Sequence, residues 1–186
     1  MKILGGVRYV LGIEVKYLRN SRRLKISQGS CISRMVETFN QVDAKAVLIP
    51  SVEGQAIIKM NEIDTRMKNR PYRSLVGSLL YMATGTRPDI AYAVCQLSRH
   101  LEFPHEEHWD AAIRVLQYLK TTKSKGICYE GVSGNLQLSA YTDAYWASDK
   151  CNRRSIYGVL AMINGEPVLF KSKMQQSVAL STAEAE

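Results

Sequence analysis

Three prolines divide the middle of this chain into stretches that repeat apolar residues at helical spacing. Pro71, Pro88 and Pro104 each suit the first turn of a helix, because that turn needs no hydrogen bond from the proline nitrogen. The pattern predicts three helices, over residues 71 to about 83, 88 to 101 and 104 to about 121. The expected apolar faces of the second and third are Ile90, Val94, Leu97 and Leu101, and Trp109, Ile113, Leu116 and Leu119. Because the links are short, the helices should pack as one compact unit.

The segment before these helices alternates like a β-hairpin. Apolar and charged residues alternate over residues 13–17 and again over 24–26, on either side of the polar stretch 19–22. Ser27 or Ser30 could then cap a short helix that reaches Phe39. Residues 41–70 show no sustained period and are expected to form a connecting loop.

After Lys125 the apolar residues alternate with period two, which predicts three antiparallel strands. Asn164-Gly165 is a typical hairpin turn between the last two strands. Ser181 and Glu184 form a capping box that predicts a helix. The expected apolar face of the sheet consists of Leu138, Ile156, Leu160 and Phe170. The whole pattern predicts an α+β fold: a β-hairpin, a helical unit and a three-stranded antiparallel sheet.

The composition is that of a globular protein, with 46% hydrophobic and 23% charged residues, which excludes disordered and coiled-coil classes. The longest stretch without a charged residue is 74–86, shorter than the ~18 residues of a membrane-spanning helix. The amino terminus lacks the apolar segment of a secretory signal. We therefore expect no membrane partner and an intracellular location.

The net charge of +8 is confined to the first part of the chain. Residues 1–73 hold 14 basic and 6 acidic side chains, whereas the two signs balance in the remainder. Lysine and arginine gain affinity for phosphates by releasing condensed counterions, so nucleic acid is the first candidate partner. The cations around the hairpin turn are the candidate binding residues: Arg19, Arg22, Arg23 and Lys25. The alternative is solvated charge that only keeps the protein soluble.

Two groups of residues could carry metal chemistry. His105 and His108 flank two glutamates, but Trp109 stands where the zinc-protease pattern needs histidine, so we interpret the glutamates as first-turn residues of a helix. Asp143 stands at the end of an expected strand, and Glu186 belongs to the helix that follows, so the two carboxylates could converge on a hard divalent cation. A turn or capping role for Asp143 is the alternative.

Several blocks, in order, make the sequence recognisable. It resembles the carboxy-terminal part of the Pol polyprotein of copia-type (Ty1/copia) retrotransposons, from the end of the reverse transcriptase into RNase H. The blocks are YVLGIEV (residues 9–15), YRSLVGSLLY (72–81), TRPDIA (86–91), HWDAAIRVLQYLK (108–120), YTDA (141–144), RRS (153–155), KSK (171–173) and ALSTAEAE (179–186).

The resemblance implies a division of the chain and a set of roles. Residues 1–70 correspond to the end of the palm and thumb region, 71–125 to a helical thumb or connection unit, and 126–186 to a truncated RNase H-like domain. Asp143 and Glu186 become ligands of Mg²⁺ or Mn²⁺ in cleavage of the RNA strand of RNA–DNA hybrids. The implied location is cytoplasmic, in a virus-like particle, or nuclear.

The same resemblance implies that the chain by itself is inactive. The Tyr-Val-Asp-Asp polymerase motif does not occur in it, and RNase H needs further acidic ligands, which the family supplies beyond the position of Glu186. The expected function is that of a reverse transcriptase and RNase H fragment that binds RNA–DNA hybrid or duplex weakly. The alternative is a non-catalytic basic module that binds either nucleic acid or another protein. Salt-dependent binding to nucleic acid would distinguish the first kind of module from the second.

Overall fold

The computed structural model describes residues 6–52, 60–62, 64–131, 134–149 and 152–186. Two antiparallel sheets and a group of helices make up the fold, which confirms the α+β class. The first sheet has the order β1-β2-β3-β4. Its strands are Tyr9–Val10, Ile13–Leu18, Arg23–Ser27 and Ile127–Glu130.

The expected hairpin is β2 and β3, and β4 was not expected. A 3-10 helix at Arg19–Ser21 and a left-handed Arg22, with φ of 48°, form the turn. The fourth strand pairs with β3 across a large separation in sequence, since Ile26 lies opposite Ile127. The last strand of the first sheet therefore comes after the large helices in the sequence.

Four helices of seven residues or more lie between β3 and β4 in the described ranges. These are α1 (Gly29–Thr38), α2 (Tyr72–Gly85), α3 (Ala91–Leu97) and α4 (Glu106–Thr121). Short 3-10 helices occupy Thr65–Met67, Pro88–Ile90 and Ser98–His100. None of the described helices is long and apolar enough to cross a membrane.

The expected second helix is the one whose form differs most from the prediction. Its central part is α-helical, but both ends are 3-10 turns. At the carboxyl end, the hydroxyl of Tyr72 donates to the carbonyl of Leu97 at 2.9 Å. This side-chain bond satisfies a carbonyl that a continuing α-helix would use for its own ladder.

The cap of α1 also differs from the expectation. The N-cap residue is Gln28, with no capping bond from its own side chain. Instead the carboxylate of Glu14, on β2, accepts hydrogen bonds from the backbone N–H of Ser30 at 2.7 Å and from its hydroxyl at 2.6 Å. A carboxylate from a neighbouring strand thus caps the amino terminus of α1 and interacts favourably with its partial positive charge.

The core lies between the four helices. The expected residues Ile90, Val94, Leu97, Leu116 and Leu119 are all at most 1% exposed. Leu101, Trp109 and Ile113 pack against this core while remaining partly exposed. The apolar face of α1 joins it through Ile32, Met35, Val36 and Phe39.

A buried arginine fastens the start of the second helical segment to the end of α4. The side chain of Arg87 is 1% exposed. Its guanidinium donates to both carboxylate oxygens of Asp89 at 2.9 and 2.7 Å. It also donates to the carbonyl of Thr122 at 3.2 Å and to its hydroxyl at 2.6 Å, and it lies 5.4 Å from the ring centroid of Tyr118. The Tyr118 hydroxyl completes the network by donating to Asp89 at 2.7 Å.

The second sheet confirms the three expected antiparallel strands. They are β5 (Leu138–Tyr145), β6 (Ile156–Ile163) and β7 (Glu166–Met174), in that order. Asn164 and Gly165 have φ of 52° and 84°, as a two-residue hairpin turn requires. The short helix α5 (Thr182–Ala185) follows, with the side chain of Ser181 accepting from the N–H of Glu184.

The expected apolar face of this sheet is wrong at one residue. Leu138 pairs with Ile163, whereas Leu160 pairs with Phe170. Successive residues of a strand point to opposite faces, so Leu138 lies on the face opposite to Ile156, Leu160 and Phe170. Leu138 is 76% exposed and Ile156 is 3% exposed.

Contacts join the two sheets and the helices into one structure. Helix α3 packs against β7, and β4 contacts β7. The Tyr129 hydroxyl on β4 donates to the carbonyl of Pro167 at 2.9 Å. The Arg99 guanidinium pairs with the buried Asp149 carboxylate. The division into residues 1–70, 71–125 and 126–186 remains a prediction.

Candidate nucleic-acid groove and carboxylate pair

A groove of about 1210 Å³ lies along the first sheet. Pockets that hold one small molecule are usually about 300–1,000 Å³, so this groove has room for a segment of a polymer. Five cationic side chains and one acidic side chain line it: Arg8, Lys16, Arg19, Lys25, Lys123 and Glu14. The groove is therefore strongly positive.

Two of these cations face each other directly across the sheet. Lys16 on β2 pairs with Lys25 on β3, and like charges at directly opposite positions destabilise a sheet. The Lys25 ammonium donates to the carbonyl of Ser124 at 2.9 Å. A bound anion between these ammonium groups would relieve the repulsion.

The acidic member of the groove is already engaged. Hydrogen bonds from the Ser30 side chain and backbone lower the pKa of Glu14, and the charge of Lys123 lowers it further. Its negative charge faces the amino terminus of α1, which carries partial positive charge. The carboxylate is thus held ionised by the helix end, and the other charges that line the groove are all positive.

The structure separates the four cations expected to bind nucleic acid. Arg19 and Lys25 line the groove. Arg23 instead forms an ion pair with Glu130 at 2.6 Å, and the backbone carbonyl of Arg22 accepts a hydrogen bond from the N–H of Gly131. Sequence reasoning missed Arg8, Lys16 and Lys123. The alternation of charges along β2 could have indicated Lys16, but Lys123 reaches the groove only because α4 ends beside the sheet.

One tyrosine adds exposed aromatic surface beside these cations. Tyr9 lines the groove and is 63% exposed, whereas the side chain of Tyr17, which follows Lys16 directly on β2 and pairs with Leu24, points to the opposite face of the sheet. Tyr9 lies opposite Glu14 on β2, so it shares a sheet face with Lys16, two residues further along that strand. Aromatic rings beside cations are the combination found in sites that hold unpaired bases.

Asp143 lies within a strand rather than at its end. It is exposed and pairs with Gly158, two residues before β5 ends at Tyr145. Tyr141 and Tyr145 share its face by the alternation of the strand. The strand-end position expected from the sequence is therefore wrong by two residues, and an alternative role as a turn or capping residue loses its structural basis.

Glu186 directly follows the helix that packs on this strand. Helix α5 contacts β5, and the side-chain amide of Gln175 donates to the carbonyl of Ala185 at 2.5 Å. The Glu184 carboxylate accepts from the N–H of Leu180 at 2.7 Å. The capping box is thus present, but the glutamate side chain bonds to the N–H of Leu180 rather than to that of the N-cap residue Ser181. Asp143 lies on β5 and Glu186 directly follows α5, which contacts β5, and both residues are exposed.

The chemistry of this pair suits Mg²⁺ or Mn²⁺, but the number of donors does not. Carboxylate oxygens are the ligands that hard divalent cations prefer, and Mg²⁺ takes six oxygens. Within the described ranges, no group of three or more His, Cys, Asp or Glu side chains is arranged so that it could hold a metal ion. The described residues alone therefore do not form a two-metal centre, and no catalytic step follows from them.

The fold and site define a basic α+β protein with a cationic groove on one sheet and two exposed carboxylates near the other. Across its whole length the chain is 41% identical to a retrovirus-related Pol polyprotein from transposon TNT 1-94 of Nicotiana tabacum, of which it covers 14%. It is 38% identical, over 97% of its length, to the retrovirus-related Pol polyprotein from transposon RE1 of Arabidopsis thaliana, of which it covers 12%. An uncharacterized mitochondrial protein of Arabidopsis thaliana is 32% identical to the whole chain, which covers 75% of that protein.

The chain belongs to the family of retrovirus-related Pol polyproteins of copia-type transposons. It spans about one eighth of the length of the Pol polyproteins it matches. No protein-family model matches the chain. No solved structure matches it either.

Proposed function

We propose that this chain is the nucleic-acid-holding segment of a retrotransposon Pol polyprotein in which the end of the reverse transcriptase meets the start of RNase H. Residues 1–70 would correspond to the end of the palm and thumb region, 71–125 to the thumb or connection, and 126–186 to the start of RNase H. Its task would be to hold nucleic acid, including RNA–DNA hybrid or duplex, weakly by the phosphates and without reading sequence.

The observation that carries this proposal is the cationic groove on the first sheet. It gathers Lys16, Lys25 and Lys123 from two strands and from the end of α4. Lys16 and Lys25 oppose each other at a cost to the sheet, which a purely structural pair has no reason to retain. Backbone phosphates supply sequence-independent affinity through counterion release, so weak, salt-sensitive binding is the expected behaviour.

A second role is supported by the contact between β5 and α5. Asp143 lies on β5 and Glu186 directly follows α5. The family resemblance pairs these two residues as ligands of Mg²⁺ or Mn²⁺. Such an ion would activate water and stabilise the charge on the leaving oxygen. Because the described residues supply two carboxylates, we expect this chain to contribute ligands to a larger centre and to show no cleavage by itself.

Binding of labelled duplex and RNA–DNA hybrid at increasing salt tests the main proposal. The double variant Lys16→Gln/Lys25→Gln should weaken binding and reduce the slope of log affinity against log salt by about 2, one for each lost phosphate contact. The matched control is Lys171→Gln/Lys173→Gln, which removes the same charge from exposed positions on β7. Equal effects of the two double variants, or binding that ignores salt, would contradict the proposal.

Incubation of the same hybrid with Mg²⁺ or Mn²⁺ tests the second role. The RNA strand should remain intact with the chain alone. Cleavage that disappears in Asp143→Asn would show that this chain builds a working nuclease centre unaided, which is contrary to our expectation.

A further inference from the structure

We propose that the groove on the first sheet selects single-stranded over double-stranded nucleic acid, with the ring of Tyr9 stacking on an unpaired base. The inference rests on the proposed function, because it names the form of nucleic acid that the same groove takes. It depends on the aromatic residues, whereas the proposed function depends on the cations.

The position of Tyr9 is the first support. Its ring is on the edge strand β1, which is the first strand of the sheet, and it is 63% exposed. Tyr9 pairs with Glu14, so Lys16 is its diagonal neighbour on the same face, at the roughly 7–8 Å expected for such positions. A base stacked on the ring would thus have its own phosphate within reach of the Lys16 ammonium.

The arrangement of charges around the ring is the second support. Lys16 and Lys25 form a cross-strand pair, and Lys123 lines the same groove from the end of α4. Cations that follow a groove and aromatic rings beside them form the usual site for single strands, since every base has a face that can stack.

Electrostatics alone predicts the opposite preference. Duplex carries a denser line of phosphates than a single strand, and its affinity depends more steeply on salt, with slopes of about −0.9 against −0.7 for each contact. A groove that used only its lysines would therefore favour duplex. In a duplex the base faces are already stacked on one another, so Tyr9 gains nothing there. Preference for the single strand is a property that only the aromatic contact supplies.

The experiment compares a labelled single strand with a duplex of the same sequence, by fluorescence anisotropy of the full chain at one salt concentration. The wild type should bind the single strand more tightly than the duplex. Tyr9→Leu should weaken single-strand binding by roughly 5-fold or more, as expected for the loss of one stacked base, and should leave duplex binding unchanged. Tyr9→Phe should retain the wild-type preference. The matched control is Tyr92→Leu, at an exposed tyrosine on α3.

A second measurement does not depend on the folding of a variant. Ultraviolet crosslinking of a 5-bromouracil-containing single strand to the wild-type chain should place the adduct on Tyr9. An adduct confined to other residues, Tyr17 on the opposite face included, would overturn the inference.

The possible failures are distinguishable. Duplex bound as tightly as the single strand, or a Tyr9→Leu effect that is equal for both forms, overturns this inference and leaves the proposed function intact. Absence of binding to every form of nucleic acid at low salt overturns both.

Discussion

Replacement of Arg87 by alanine should be among the most damaging single changes in this protein. The guanidinium is almost fully buried and donates to four oxygen atoms, two on Asp89 and two on Thr122. Removing one partner of a buried ion pair usually costs about 3–5 kcal/mol, because the other charge is left without compensation. The Asp89 side chain is 32% exposed and keeps its bond from Tyr118. We therefore expect a loss near the lower limit, about 3 kcal/mol.

A loss of this size is large relative to the total free energy of unfolding of a protein domain. Domains of ordinary size have unfolding free energies of about 5–15 kcal/mol, so Arg87→Ala should shift a urea unfolding curve markedly toward lower urea at an unchanged slope. Arg87→Lys keeps the charge but not the fork that binds both carboxylate oxygens, and it should fall between the wild type and the alanine variant. Arg154→Ala, at an exposed position on the second sheet's loop, is the control and should change stability by less than about 0.5 kcal/mol.

The pKa of Asp89 gives an independent test of the same network. Partial burial would raise this pKa, but hydrogen bonds from Arg87 and Tyr118 and the charge of Arg87 bring it below its usual value. A carboxyl group whose pKa is lower in the folded state stabilises the fold above its unfolded pKa, and this contribution is lost as pH falls through the folded pKa. Arg87→Ala should raise the pKa of Asp89, measured by NMR titration, and should flatten the loss of stability in acid.

A double-mutant cycle of Arg87→Ala with Asp89→Ala should give a coupling of more than about 0.5 kcal/mol. The reasoning is refuted if Arg87→Ala costs less than about 1 kcal/mol, or if the two changes are additive. Either result would mean that the buried guanidinium is compensated elsewhere than at Asp89.

Two further changes test other contacts. Glu14→Gln should destabilise α1 by about 0.5–1 kcal/mol at neutral pH; because the pKa of Glu14 is lowered in the folded protein, the difference from wild type should shrink as pH falls below the usual carboxyl value, and a pH-independent difference would refute the capping role. Gly126→Ala should cost about 1–3 kcal/mol, since an added Cβ would lie 2.2 Å from the carbonyl oxygen of Ile26. Gly77→Ala, in open space on α2, should instead stabilise the protein by about 0.5–1 kcal/mol, and equal urea midpoints for the two alanine variants would contradict this account.

The helices could be predicted because their signals are local. Pro71, Pro88 and Pro104 fixed three starts to within two residues, and the apolar spacing identified the residues that are most buried. The 3-10 turn at the carboxyl end of the second segment could not be predicted, since it accompanies a hydrogen bond from the hydroxyl of Tyr72, on another helix, to the carbonyl of Leu97. Glu14 capping α1 is a contact of the same kind between separate elements.

The strands show where alternation is insufficient. It identified β5, β6 and β7 but not the four residues of β4, which are too few to show a period. Alternation also placed Leu138 on the same face as Ile156, which is wrong. The face of Leu138 follows from its pairing with Ile163, and that register is not encoded in β5 alone. Within the candidate site, the charge excess of residues 1–73 indicated the first sheet. Lys123 was missed because it lies in the charge-balanced part of the sequence.

The late return of β4 to the first sheet has a consequence for synthesis on the ribosome. Ile127 is added about a hundred residues after Ile26, its partner, so β3 must wait with an unpaired edge while the whole helical region is made. At about 5–20 residues per second this wait lasts several seconds or more, far longer than the microseconds in which a hairpin forms. During that interval β2 and β3 form an exposed ribbon whose free edge can recruit another strand. Several ribosomes can translate one messenger at once, so two nascent chains can both lack β4 at the same time. The free β3 edge of one chain can then pair with a strand of the other chain.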